Sequence, residues 1–273
     1  TDDALSACFD TAPLDRPLAL VGAAGLHLTL RCDQPRAFVV ARLCDVAPDG
    51  SSVRICHGML NLCHRDSMET PTEVPTDTAF DIRLTLDQMA YRLAKGHRLR
   101  LALSTTYWPF VWPAAKPARL RLDAGSLTLP VHPGAQKDEW QFEKAETAAP
   151  WRHRVLRQGS ASRRIEEDVL SGIRTMTIET AEPKVENLDH GLITAESLSE
   201  KWTIHPDDPL SARVEIVWEQ ELSRGDWSVR TVAKSEMYAE MSDLYMNATL
   251  EAYEGTTKVF SKEFNESVAR QFL

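Results

Sequence analysis

The stretch HRLRLALST, residues 97–105, decides how the first half of this chain is read. Leucines fall at 99, 101 and 103 and arginines at 98 and 100, a period of two that a helix of 3.6 residues per turn cannot place on one side. A strand can, so one face of this segment is expected to be buried and the other wet.

Working outward, similar runs recur at short intervals. LHLTLRC (26–32), AFVVARLCDV (37–46), SVRICHGMLNLCH (52–64), AFDIRLTL (79–86), ARLRLD (118–123) and SLTLPV (126–131) each have strand length, with Asp-Gln-Pro, Pro-Asp-Gly, Pro-Thr-Glu-Val-Pro and Ala-Gly-Ser between them as turn or edge signals. One helical turn is expected, in LDQMAYRLAKGH, where Leu86, Met89, Ala90 and Leu93 are spaced by three and four and Gly96 stands as a cap. About seven strands predict an all-β fold for residues 1–133, a β-sandwich of the jelly-roll kind. The polar, alanine-rich segment from His132 to Trp151 reads as a linker or strap, placed at 134–150. Beyond it, residues 151–273 hold longer strands with alternating charge. In VEIVWEQEL, for example, Val214, Ile216 and Trp218 share a parity that Glu215 and Glu219 do not, which predicts a second, antiparallel, meander-like sheet, curved or half-barrel in form.

The totals bound the function. A chain of 273 residues is long enough for two domains, and a net charge of −9 repels nucleic-acid phosphates and anionic lipid, so neither nucleic acid nor a membrane is an expected partner. The weakly polar run from Leu18 to Leu30 is too short to cross a bilayer as a helix. Five cysteines, an odd number confined to the first quarter of the chain, read as reduced thiols, and with no visible secretory signal the expectation is a cytoplasmic protein.

Candidate chemistry is sparse. CDVAPDG (44–50) offers Asp45 and Asp49, but Pro48, Asp49 and Gly50 spell a tight connection, and two carboxylates fall short of the six or so oxygens that calcium takes. Cys56-His57 and Cys63-His64 resemble zinc ligands, yet along a strand they stand roughly 23 Å apart on opposite sides. No G-x-S-x-G elbow occurs, since Gly159-Ser160 and Ser171-Gly172 lack its flanking glycine, and His97, Asp45 and Ser104 form a triad only on paper. No catalytic residue, metal or cofactor is therefore assigned. The aromatic loop Tyr107, Trp108, Phe110 and Trp112, interrupted by prolines, suits a docking or binding surface or a cover for its own sandwich. Trp202, Trp218 and Trp227 read as core or interface residues.

Three ordered stretches carry a resemblance: ALSACFDTAPLDRPLALVGA (4–23), ARLCDVAPDGSSVRICHGMLNL (41–62) and AKGHRLRLALSTTYWP (94–109). Together they resemble the C-terminal domain of the X-Pro dipeptidyl-peptidase and cocaine esterase (CocE/NonD) serine hydrolases. The resemblance implies a galactose-binding-like jelly roll packed on an N-terminal α/β-hydrolase domain that carries the serine, acid and histidine. None of those three transfers to a residue here. Asp45, Pro48, Asp49, Gly50, Gly58, Gly96 and His97 become structural residues of the motifs, and the Tyr107–Trp112 loop a surface against the catalytic domain or a sister subunit in a homo-oligomer. The alternative is an independent carbohydrate-binding jelly roll.

Overall fold

The computed structural model describes residues 2–133 and 141–273. Among these there is no α-helix, only two short 3-10 turns at Asp2–Leu5 and Leu62–His64. The chain divides into two compact units, Thr1–Gln141 with Gln271–Leu273, and Phe142–Arg270.

The first unit holds seven strands: β1 (Ala7–Asp10), β2 (Leu18–Cys32), β3 (Phe38–Val46), β4 (Ser52–Asn61), β5 (Phe80–Leu93), β6 (Arg98–Ser104) and β7 (Leu120–Thr128). They form two antiparallel sheets, ordered β1-β6-β3-β4 and β5-β2-β7, that enclose a core of Val39, Ala41, Leu43 and Leu99 from one sheet and Leu20, Leu26, Leu28, Leu30, Ile82 and Leu84 from the other. This is a β-sandwich, stabilised chiefly by apolar burial between its layers. The odd-numbered leucines of β6 face that core as their period predicts. The even face is wet only in part: Arg98 is exposed, but Ala102 is buried, and Arg100 is clamped by Asp3 and Asp10.

Three expectations are corrected. LDQMAYRLAKGH is strand, not helix, as far as Leu93. Residue Ala23 pairs with Gln88 and Gly25 with Thr85, so β5 carries one extra residue at this point. That bulge shifts the burial phase from Ile82, Leu84 and Leu86 to Met89 and Leu93, and the resulting gap of three imitates a helical spacing. Ala90, assigned to the helical stripe, is exposed. Gly96 does adopt a positive φ of 85°, in the turn from β5 to β6 and not at a helix end. Secondly, the Ala-Gly-Ser break is no turn, because β7 runs straight through Ala124–Ser126. Gly125 is there for proximity: a Cβ would lie 2.8 Å from Leu28 Cδ2. Thirdly, the run 52–64 is strand only to Asn61, whose side chain accepts a hydrogen bond from the Cys63 amide and caps a 3-10 turn.

The second unit is a nine-stranded antiparallel sheet: β8 (His153–Arg157), β9 (Ser160–Glu167), β10 (Arg174–Ala181), β11 (Lys184–Asn187), β12 (Ile193–His205), β13 (Asp208–Arg224), β14 (Trp227–Ala239), β15 (Asp243–Glu254) and β16 (Thr257–Ala269). Its main path runs β16-β15-β14-β13-β12-β10-β9, with β11 joining β12 to β8. From β12 onward each strand pairs with the next, the expected meander. Register sorts the faces. Ile165, Met176, Trp202, Val214, Met237 and Met246 form one continuous row across six strands, and Arg164, Thr177, Lys201, Glu215, Glu236 and Asn247 form the row behind it. The polar face is laced by ion pairs, among them Arg230–Glu219 at 2.8 Å, Lys258–Glu251 at 2.7 Å and Arg213–Glu236. The apolar face stays partly open, with Trp218 at 47% and Ile165 at 75% exposure.

Candidate functional site

Within the first unit the sequence-predicted residues separate into two groups. The first surrounds the β3–β4 hairpin. Gly50 N–H donates to Ala47 C=O and Ala47 N–H to Ser51 C=O, both over 2.9 Å, with Pro48 and Asp49 at the bend and Gly50 at φ 87°. This is a turn followed by a left-handed residue, a common way to close a three-residue hairpin loop. Nothing lies within 4 Å of a Cβ at Gly50, so the glycine is required for its φ and not for space. The Asp49 carboxylate accepts from the amide and the hydroxyl of Ser51 at 2.9 and 2.7 Å, which holds it below the usual aspartate range. It is a turn carboxylate whose Oδ1 takes both Ser51 groups.

Asp45 is different: it is buried on the inward side of β3. His97 Nδ1 sits 2.7 Å from its Oδ1, and the Tyr91 hydroxyl donates to its Oδ2 over 3.0 Å. An Asp–His pair is therefore present, but the third member of the paper triad is not. Ser104 pairs with Val40 while Asp45 pairs with Leu99, five rungs away on the same ladder, about 17 Å along the strands. The Ser104 hydroxyl donates instead to Thr106 C=O. The pair ties the hairpin and the β5–β6 turn to Tyr91 on the facing sheet. Periodicity gave no signal for Tyr91, because its partner is 46 residues away in the chain.

The cysteine-histidine pairs do not converge. Cys56 Sγ lies 3.8 Å from Met89 Sδ, and burial pushes its thiol up to about 11, so it is no thiolate at neutral pH. Cys63 packs near Pro35 C=O, its thiol also raised by burial. His57 faces Asp87 at 3.0 Å. Gly58 marks the place where β4 meets β5: a Cβ would fall 2.6 Å from Leu86 Cδ2 and 3.2 Å from its Cα.

The second group is the aromatic loop, which lies over the outer face of the β3–β4 sheet. Tyr107 and Phe110 stack at 4.8 Å and 12°, His57 meets both rings edge-on, and the Arg54 guanidinium covers both at 5.7 and 5.0 Å. Arg54 also donates to the Tyr107 hydroxyl. The Arg42 guanidinium approaches Tyr107 from β3 at 5.3 Å, buried and paired with Asp3. Trp108 and Trp112 pack edge to face at 5.1 Å and 79°, and the Trp108–Pro109 bond is cis. Tyr107, Trp108 and Trp112 are half-buried, while Phe110 is 56% exposed. The loop is fixed from below by cations and rings and presents one phenyl group outward.

Two crevices complete the unit. An apolar one of about 380 Å³ opens between β1–β6 and β2–β7, with Leu26, Leu28, Leu99, Leu101 and Leu122 on its walls. A polar one of about 450 Å³ is lined by Arg31, Asp33, Asp77, Arg119 and Arg121. Neither brings together a nucleophile, a base and an oxyanion donor set. Among the described residues no helix is long and apolar enough to cross a membrane.

Cocaine esterase of Rhodococcus sp. (strain MB1 Bresler) is 24% identical over 108 residues, covering 40% of this chain and 18% of that protein, so the chain spans less than a fifth of this curated relative's length. Among solved structures, an alpha-amino acid ester hydrolase aligns over 47% of this chain and 26% of its own, at 21% identity and a TM-score of 0.45. A CocE/NonD family hydrolase from Staphylococcus aureus aligns over 48% and 31%, at 16% identity and a TM-score of 0.40. Residues 1–166 match the family described as X-Pro dipeptidyl-peptidase C-terminal non-catalytic domain, and the chain belongs to that family.

Proposed function

We propose that this chain is the non-catalytic C-terminal region of a cytoplasmic serine hydrolase of the CocE/NonD type, which cleaves an ester or X-Pro peptide with a serine held on an N-terminal α/β-hydrolase domain. The observation that carries the reading is the family match over residues 1–166, joined to a site in which every motif residue is engaged in shaping the chain. Asp45 is consumed by Tyr91 and His97, and Asp49 by Ser51. In this reading residues 1–133 form the jelly roll, 134–150 the linker and 151–273 a separate antiparallel unit. The jelly roll walls one side of the substrate pocket, with Phe110 as the contact offered to the catalytic domain and Tyr107, Trp108 and Trp112 as its support. A sugar platform fits less well, since Trp108 and Trp112 stand nearly perpendicular and Tyr107 lies stacked with Phe110.

A fluorophosphonate probe and p-nitrophenyl esters test the assignment on the purified chain. No labelling and no turnover are expected, with both appearing when an α/β-hydrolase domain of this family is joined upstream. Stoichiometric labelling of a serine in the isolated chain would overturn it.

A further inference from the structure

Among the described residues, the outermost strand of the second sheet, β16, pairs with β15 on one side only. All thirteen of its residues are exposed. An open edge of that length is a template for another strand, and proteins usually blunt it with proline, a bulge or charge. Here the register shift against β15 falls at the beginning of the strand, near Tyr253, and the stretch Phe260–Ala269 has neither proline nor glycine. Charge remains, and its arrangement is informative.

Phe260, Lys262, Phe264, Glu266 and Val268 share the apolar face of the sheet, as their partners Ala252, Leu250, Ala248, Met246 and Leu244 on β15 show. We infer that β16 pairs antiparallel with β16 of a second copy of this chain about a two-fold axis at Phe264. In that register Phe264 faces its own counterpart, Lys262 faces Glu266 on both sides, and Phe260 faces Val268. Behind them Glu263 faces Asn265 and Ser261 faces Ser267. Each apolar residue meets an apolar one, and each cation meets an anion. The neighbouring two-fold registers fail on the same residues. Centring on Lys262, Glu263 or Glu266 sets like charges directly opposite, and centring on Asn265 puts Phe264 against Glu266, so the charges that would guard the edge against other partners select this one. The Lys262 ammonium already lies 4.6 Å from the Phe264 ring, at the position of the axis. Phe260 and Val268, 47% and 63% exposed in one copy, would cover each other. The pairing extends a sheet by its edge, a recurrent mode of strand recognition.

Sedimentation equilibrium of the full 273-residue chain tests this, over roughly 1–200 μM because an edge-to-edge contact is small. Lys262→Glu and Glu266→Lys should each weaken the dimer about tenfold, since each creates two like-charge pairs, and the double reversal should restore it. In a Cys8→Ser background, Phe264→Cys should form an intermolecular disulfide under mild oxidation, because opposed Cα atoms in an antiparallel pair are about 4.5–5.5 Å apart. Glu263→Cys should not. Circular dichroism on each variant separates loss of pairing from loss of fold. A monomer throughout the range, a dimer indifferent to the single reversals, or cross-linking at residue 263 in place of 264 would overturn the inference.

Discussion

Tyr91 and Asp45 meet across the sandwich: the phenol on β5 donates to a buried carboxylate on β3, 3.0 Å away, and so joins the two sheets at the end where the hairpin turns. Asp45 is 8% exposed, and its other oxygen is taken by His97. A carboxylate so placed is tolerated because both partners stay.

Removing the acceptor should therefore cost more than removing one donor. Asp45→Ala leaves a phenol and an imidazole unpaired and is expected to destabilise the first unit by about 2–3 kcal/mol, whereas Tyr91→Phe should cost about 1 kcal/mol. Urea unfolding followed by tryptophan fluorescence measures both. Equal losses would show that the carboxylate is not the hub.

The two glycines of the β4 region should respond differently to alanine. At Gly58 the added methyl meets Leu86, including its Cα, and about 2 kcal/mol or more of overpacking is expected. Gly50 has space but a positive φ, so Gly50→Ala should cost about 1 kcal/mol and Gly50→Asn less. Thermal melts of the three variants rank them.

Stability against pH should fall at both ends for identifiable reasons. Asp10 is held below the usual aspartate range by its bonds from Arg100; Asp3 is pulled upward by burial, but Ser52, Arg100 and Arg42 outweigh that and leave it lowered as well. A carboxylate lowered on folding lends stability above its unfolded pKa, and that stability is lost as pH falls through the folded value. Arg100→Met should flatten the decline between pH 5 and about pH 2. Tyr91 is raised by burial and by its bond to Asp45, so its contribution is complete below pH 10 and fades as the solution climbs above it. Tyr91→Phe should remove that alkaline decline.

The aromatic loop gives a test of docking apart from folding. Phe110→Ser should leave the melting temperature of the chain within a degree or two, being a surface change, while weakening association with the α/β-hydrolase domain proposed above as its partner. Tyr107→Ala should lower the melting temperature, because it strips the support from Arg42 and Arg54. If Phe110→Ser has no effect on association measured by calorimetry, the loop is only a cover.

The last residues offer a further check. Phe272 packs against the sandwich core, and its carbonyl accepts from Asn61 Nδ2 over 2.7 Å. Deleting Gln271–Leu273 is expected to destabilise the first unit by about 1–3 kcal/mol, visible as faster proteolysis of that unit.

Most strands were legible because the face of each is written locally, as in Leu99, Leu101 and Leu103 or Val214, Ile216 and Trp218. Pro48-Asp49-Gly50 likewise states its turn within three residues. What could not be read depended on distant neighbours. The bulge in β5 is defined only by pairing with Ala23 and Gly25, so its phase shift imitated a helix. Gly125 looked like a turn because the reason for it, Leu28, is almost a hundred residues away. Asp45 could be singled out by its motif, but not its bond to Tyr91. The seat of the aromatic loop, on Arg42, Arg54 and His57, was equally invisible, since nothing in a linear pattern says which side of a sheet a loop will cross.

The sequential pairing from β12 to β16 leaves a mark on how this half of the gene could change. Among the described residues, each strand from β13 onward pairs only with its neighbours in sequence, so a hairpin could be gained or lost at the distal end without rethreading what came before. The sandwich has no such freedom, because β2 must lie between β5 and β7 and β6 between β1 and β3. Length variation among descendants of this chain should accordingly collect beyond β12, in units of two strands.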